Sequence, residues 1–168
     1  MAESRHILLV EDEAILAMAE SQMLERNGYR VTVRASGEAA VDTALTDESV
    51  ELVLMDINLG HGIDGTEAAE RILAERSLPL VFLSSHTEPE VVERTEGITS
   101  YGYIVKNSGE TVLLASMRMA FRLHEARMRE RERERMLQYI IRHDPNAIAV
   151  FDDRLHYIAV SDRYICDY

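Results

Sequence analysis

Apolar residues in this chain fall into two alternating patterns. Short runs of consecutive apolar positions, HILLV (6–10), YRVTV (29–33), VELVLMD (50–56), LPLVFLSS (78–85) and GYIVK (102–106), read as strands. Between them, apolar residues recur every three or four positions, as on one face of a helix. In EDEAILAMAESQMLERNG, Ile15, Leu16, Ala19, Met23 and Leu24 share such a face, and Gly28 supplies the stop. GEAAVDTALTD gives a second helix. Asp64 with Glu67 forms a capping box that opens a third, through about Arg76. Thr87 with Glu90 marks another cap, and Asn107 with Glu110 is expected to cap a long final helix.

Strands alternating with helices predict an α/β fold: a doubly wound, five-stranded parallel sheet in the order 2-1-3-4-5, with helices on both faces. The runs ILLV, LVLM and LVFL are apolar at consecutive positions, as strands buried on both faces require. A long C-terminal helix and a short α+β tail complete the expected architecture.

From about Thr111 the text changes. TVLLASMRMAFRLHEARMRERERERMLQYIIRH lacks Gly and Pro and is rich in strong helix formers. One heptad reading puts Leu114, Met117, Phe121, His124 and Met128 on a seam that ends in Arg131 and Arg135. This fits either an exposed linker helix or a two-stranded coiled coil. After Pro145, NAIAVFDD and LHYIAVS read as two strands joined by a tight turn, and DRYICDY as the start of a helix. Two strands cannot bury enough surface to fold alone. The expected division is therefore 1–125, a linker or signalling helix over 126–142, and a domain fragment over 143–168.

Charge narrows the function classes. A formal net charge of -12 argues against non-specific binding to nucleic acid or to an anionic membrane. The single Cys166 excludes an internal disulfide and suits a reducing compartment. No apolar run approaches the roughly 18 residues of a membrane span. MAESRH leads straight into a strand without a signal-peptide pattern, so a cytoplasmic location is expected.

In a doubly wound sheet, ligands bind at the carboxyl ends of the strands. Those ends carry Glu11 and Asp12, then Asp56, then Ser84 and Ser85, then Lys106. Singly, each has a plain structural role as a cap, a loop residue or a surface charge. Together, three converging carboxylates would repel unless a cation sat among them. Hard oxygen ligands at a partly open site suit Mg2+. Lys106 and Ser84 can hold a phosphoryl oxygen, and an Asp carboxylate can be the nucleophile of phosphoryl transfer. His61, which lacks ligating companions in the sequence, reads as an exposed loop residue, and His143 as a loop residue too.

ILLVEDE, LVLMDINLG…DG, LVFLSS and GYIVK resemble the receiver domains of two-component response regulators, over roughly residues 5–125. The resemblance implies that Asp56 is the phosphoacceptor. It assigns Glu11, Asp12, Asp56 and the backbone carbonyl of Asn58 to Mg2+, Ser84 and Tyr103 to the switch, and Lys106 to the phosphate. Two positions depart from the family pattern. Asn107 stands where proline usually follows the lysine, so a trans peptide is expected there. The loop holding Gly60, His61 and Gly62 is one residue longer than usual. Residues 136–168 resemble, more weakly, the opening of a PAS domain.

The resemblance implies phosphorylation by a sensor histidine kinase or a phosphotransfer protein, with no enzymatic domain in the chain. A homodimer through the C-terminal helix or the face around strands four and five is a further expectation. Two rivals remain. A Mg2+-dependent phosphatase would need a second acid two residues after the nucleophile, where Asn58 stands. A constitutive dimerisation module would use the same fold without phosphorylation.

Overall fold

The computed structural model describes residues 4–85, 98 and 101–167. Its elements are β1 (His6–Val10), α1 (Ala14–Arg26), β2 (Arg30–Arg34), α2 (Gly37–Thr46), β3 (Leu52–Asp56), α3 (Gly65–Glu75), β4 (Leu80–Ser84), β5 (Tyr103–Val105), α4 (Glu110–Arg142), β6 (Ala149–Phe151), β7 (Tyr157–Val160) and α5 (Asp162–Asp167). The expected cap at Thr87 and Glu90 lies outside the described residues. The chain divides into two compact units, Met1–His124 and Glu125–Tyr168.

In the first unit, β1 to β5 form one parallel sheet in the order β2-β1-β3-β4-β5. β1, β3 and β4 are buried at every position, the property that their unbroken apolar runs encode. Alternate side chains serve opposite faces. Leu8, Val10, Val53, Met55, Leu80 and Phe82 pack with Ala40 and Ala44 of α2 and Ala68, Ala69 and Ile72 of α3. Ile7, Leu9, Leu52, Leu54, Val81 and Leu83 pack with Leu24 of α1 and with Leu113, Leu114, Met117, Ala120 and Phe121 of α4. Leu114, Met117 and Phe121 are therefore core residues of the first unit, which corrects their reading as a seam open to a partner.

Local signals set the helix ends. Ser36 caps α2 by accepting from the Ala39 amide, and Asp64 caps α3 by accepting from the Glu67 amide. Beyond α3, the Arg76 guanidinium donates to the carbonyls of Ala44, Asp47, Glu48 and Val50. One cation thus satisfies the carbonyls left over where α2 ends. The start of α4 differs from expectation. Gly109 supplies the first carbonyl, accepting from the Val112 and Leu113 amides. The Glu110 carboxylate accepts instead from Asn27 Nδ2 at 2.9 Å. Asn107 adopts a left-handed turn at φ 70°, and its peptide bonds are trans.

In the second unit, β6 and β7 pair antiparallel. Asp152 accepts from the Arg154 and His156 amides at the turn between them. Among its described residues only Ser161 is buried. Its hydroxyl donates to the Asn146 carbonyl and accepts from the Ile148 and Tyr164 amides.

Candidate functional site

The carboxyl ends of β1, β3, β4 and β5 bring the chemistry together. β1 ends beside Glu11 and Asp12, β3 in Asp56 and β4 in Ser84, and β5 runs into Lys106. Pairing of β3 with β4 and of β4 with β5 sets these ends side by side, with Asp56 opposite Leu83 and Ser84 opposite Val105. The Lys106 amide then donates to the Ser84 carbonyl at 2.7 Å.

Glu11 and Asp56 are buried and Asp12 is exposed. One carboxylate oxygen from each lies within 4.8 Å of the others. Lys106 Nζ donates to Glu11 Oε2 at 2.5 Å and to Asp56 Oδ2 at 2.8 Å, with its side chain only 7% exposed. Asp56 Oδ1 accepts from the Asn58 amide at 3.2 Å, and Glu11 Oε1 from the Glu13 amide. One ammonium against three carboxylates leaves two negative charges uncompensated. The donors are all hard oxygens, and the exposed Asp12 keeps one side open to solvent. This donor set fits a divalent cation such as Mg2+.

Burial pushes the Glu11 carboxyl above its ordinary value, against the pull of Lys106 and with the Asp56 charge adding to the rise. Burial alone would lower Lys106. Its hydrogen bonds to Asp56 and Glu11, and their charges, outweigh that and hold it above its usual value. The ammonium is thus fixed as a cation among the acids.

Ser84 is fully buried. Tyr103, two positions before Val105 on β5, is half-buried and packs against the core on the α2–α3 face. The structure therefore brings Glu11, Asp12, Asp56 and Lys106 into one cluster, with Ser84 beside it and Tyr103 on the neighbouring core face. Asn58 joins through its amide.

The loop after β3 is strung between two carboxylates. Gly60 donates its amide to Asp12 Oδ2 at 3.0 Å, and Ile63 donates its own to Glu38 Oε1 at 2.9 Å. Gly62 lies at φ 81° with its α-carbon against the Glu38 carboxylate, where a side chain would collide. Glu38 is not at a strand end, so the sequence drew no attention to it.

Glu20 was equally inconspicuous. It sits half-buried on α1, and its Oε2 is buried without a hydrogen-bond partner among the described residues. It lines a cleft with Leu16, Met23, Leu83, Ile104 and Leu113. Burial, then the Glu11 charge, pushes its carboxyl up to about 7, with Asp56 adding and Lys106 opposing. The available signal was spacing, since Glu20 falls between the inward-facing Ala17 and Leu24 of α1.

This strand order, with acids at the ends of β1 and β3 and a lysine after β5, defines a class of phosphoryl-accepting α/β domains. The chain matches the response regulator receiver domain over residues 7–118 and belongs to that family. It is 32% identical over 120 residues to the transcriptional regulatory protein PdtaR of Mycobacterium tuberculosis, a match covering 71% of this chain and 58% of that protein. The chain thus spans little more than half the length of this curated relative. Among solved structures it is similar to the N-terminal domain of a response regulator/sensory box/GGDEF 3-domain protein from Carboxydothermus hydrogenoformans. That match has 43% identity and a TM-score of 0.68, covering 73% of this chain and 98% of the other. It is also similar to the receiver domain of the sensor histidine kinase PA1611 from Pseudomonas aeruginosa, which has a magnesium ion coordinated in the active-site cleft. Identity there is 29% and the TM-score 0.63, covering 70% of this chain and 98% of that one. No helix among the described residues is long and apolar enough to cross a membrane.

Proposed function

We propose that this chain is a phosphorylation-dependent signalling switch whose acceptor is Asp56. The observation that carries this reading is the cluster of Glu11, Asp12 and Asp56 with Lys106 hydrogen-bonded to two of the three acids. An Asp56 carboxylate oxygen attacks the phosphorus of a phosphohistidine on a sensor kinase or phosphotransfer protein. The P–N bond breaks as the P–O bond forms, and the imidazole, already protonated on its other ring nitrogen, leaves as the neutral ring.

Glu11, Asp12, Asp56 and the Asn58 backbone carbonyl would hold Mg2+. When bound, the ion neutralises charge on the transferring phosphoryl group and aligns it for in-line attack. Lys106 is positioned as a second cation for the phosphoryl oxygens. Ser84 supplies a hydroxyl on the adjacent strand end. Tyr103 is the aromatic whose packing shifts as Ser84 and Lys106 are drawn to the phosphoryl group, biasing the surface around β4 and β5 and the helix α4. On this reading the chain is a phosphoacceptor and not an enzyme acting on a separate substrate, although the same site promotes gain and loss of its own phosphoryl group.

Residues 143–168 are read as the start of a PAS-like module, supported by the β6–β7 pair followed by α5. A cytoplasmic location accords with a kinase partner of this type.

The test is incubation with a small-molecule phosphodonor and Mg2+, read by intact mass. The wild-type chain gains one phosphoryl group, and Asp56→Asn gains none. Equal incorporation by Asp56→Asn would refute the assignment.

A further inference from the structure

The Lys106 ammonium occupies oxygens that a metal ion would need. It donates to Glu11 Oε2 at 2.5 Å and to Asp56 Oδ2 at 2.8 Å. The remaining oxygens, Glu11 Oε1 and Asp56 Oδ1, accept from the Glu13 and Asn58 amides. All four oxygens of the two buried acids are thus engaged, and a divalent cation can bind them only by displacing a donor. A neutral amide tolerates a neighbouring dication far better than an ammonium does, so the donor that yields is Lys106. Its main chain stays in place, because the Lys106 amide donates to the Ser84 carbonyl. What moves is the long, flexible side chain.

The displaced ammonium needs another acid, and the cleft between α1 and the segment after β5 holds one. Leu16, Glu20, Met23, Leu83, Ile104 and Lys106 all line this cleft. Glu20 Oε2 is buried there without a hydrogen-bond partner among the described residues. The Lys106 charge acts on the Glu20 carboxyl, as do those of Glu11 and Asp56. A buried acid oxygen among apolar side chains is costly unless a donor reaches it. Glu110, the other acid of the cleft, is already engaged by Asn27.

We infer that Glu20 is a positioning residue for Lys106, accepting its ammonium in place of Glu11 once Glu11 turns to Mg2+. An ammonium has three donors, so one N–H can rest on Glu20 while another faces the phosphoryl oxygens. Glu20 acts through Lys106 and is not itself a ligand, since it lies outside the group formed by Glu11, Asp12 and Asp56. The inference rests on the reading of that acid cluster as a Mg2+ site.

The test uses the whole 168-residue chain and measures Mg2+ affinity by calorimetry at pH 8, without a phosphodonor. Glu20→Gln is expected to weaken Mg2+ binding about three- to tenfold, the worth of one charged hydrogen bond. In a Lys106→Met background the same substitution should leave the affinity unchanged. Circular dichroism checks that each variant keeps its fold. A crystal structure of the wild-type chain grown with Mg2+ needs no variant, and should place Lys106 Nζ within about 3.2 Å of a Glu20 carboxylate oxygen. Equal Mg2+ affinity of wild type and Glu20→Gln would overturn the inference, as would Lys106 still seated on Glu11 in the Mg2+-loaded crystal. Equal weakening in both backgrounds would also overturn it, by making Glu20 a ligand or a distant charge. Each of these leaves phosphoryl acceptance at Asp56 untouched, whereas a wild-type chain that binds no Mg2+ would refute the metal site and the inference together.

Discussion

Gly65 lies directly against the backbone of Asp56. A Cβ on Gly65 would overlap the Asp56 carbonyl oxygen and come within 3.0 Å of Ile57 Cα. The Gly65 amide also donates to the Ile57 carbonyl at 3.0 Å, so the first turn of α3 is docked onto the chain that presents the acceptor. Gly65→Ala must push α3 away from β3. It is expected to destabilise the chain by about 1–3 kcal/mol, read from urea denaturation, and to slow phosphoryl acceptance by moving Asp56. Wild-type stability and acceptance in this variant would contradict the close docking.

Lys106 hydrogen-bonds two buried acids at once. Lys106→Met leaves Glu11 and Asp56 facing each other without a cation, a loss of about 3–5 kcal/mol for a broken buried pair. The Glu11 carboxyl, already raised, loses its chief opposing influence and rises further. A proton then relieves the repulsion, so the deficit is expected to narrow as pH falls from 8 toward 5. Denaturation midpoints at several pH values check this, and a deficit independent of pH would count against the pairing.

Glu20 predicts a pH dependence of opposite origin to that of a paired acid. Its folded-state value of about 7 lies above the ordinary 4.5. Between those values the folded chain keeps a proton that the unfolded chain has lost. This contribution to stability is therefore present at low pH and is lost as pH rises from about 4.5 to about 7. Glu20→Gln stays neutral throughout. In EDTA, it should match the wild type near pH 4.5 and be the more stable of the two at pH 8. A wild type more stable than Glu20→Gln at pH 8 would mean that the carboxylate has a partner.

Phe121 distinguishes the two faces of α4. It is 7% exposed, and the Arg5 guanidinium sits 4.1 Å from its ring centroid. Phe121→Ala should cost about 3–5 kcal/mol as a cavity forms under the sheet. The same substitution on a surface face would change association and leave unfolding alone. Unfolding curves measured at two protein concentrations separate these outcomes.

Much of the fold was legible because the sheet is buried on both faces. ILLV, LVLM and LVFL admit no polar residue until the strand reaches its carboxyl end, so the first polar residue marks both the strand end and the candidate site. Glu11, Asp12, Asp56, Ser84 and Lys106 were found that way.

Less legible were features that depend on which of two helix faces meets the sheet. The heptad through Leu114, Met117 and Phe121 is periodic whether its partner is a sheet or another helix, and only packing decides between them. Glu110 had the spacing of a capping residue, yet Asn27, distant in sequence, engages its carboxylate. Glu20 and Glu38 escaped notice because an acid on a helix is ordinarily solvated, and neither burial nor contact with a loop leaves a mark in local sequence.

The span from Gly60 to Ile63 is moored at both ends by carboxylates, Asp12 on one side and Glu38 on the other. Asp12 belongs to the acid cluster, whereas Glu38 belongs to the first turn of α2. The loop is thereby held as a tether between a helix and the site and does not hang as slack. Any event that repositions Asp12 pulls on Gly60, so the loop acts as a mechanical gauge of the acid beside it.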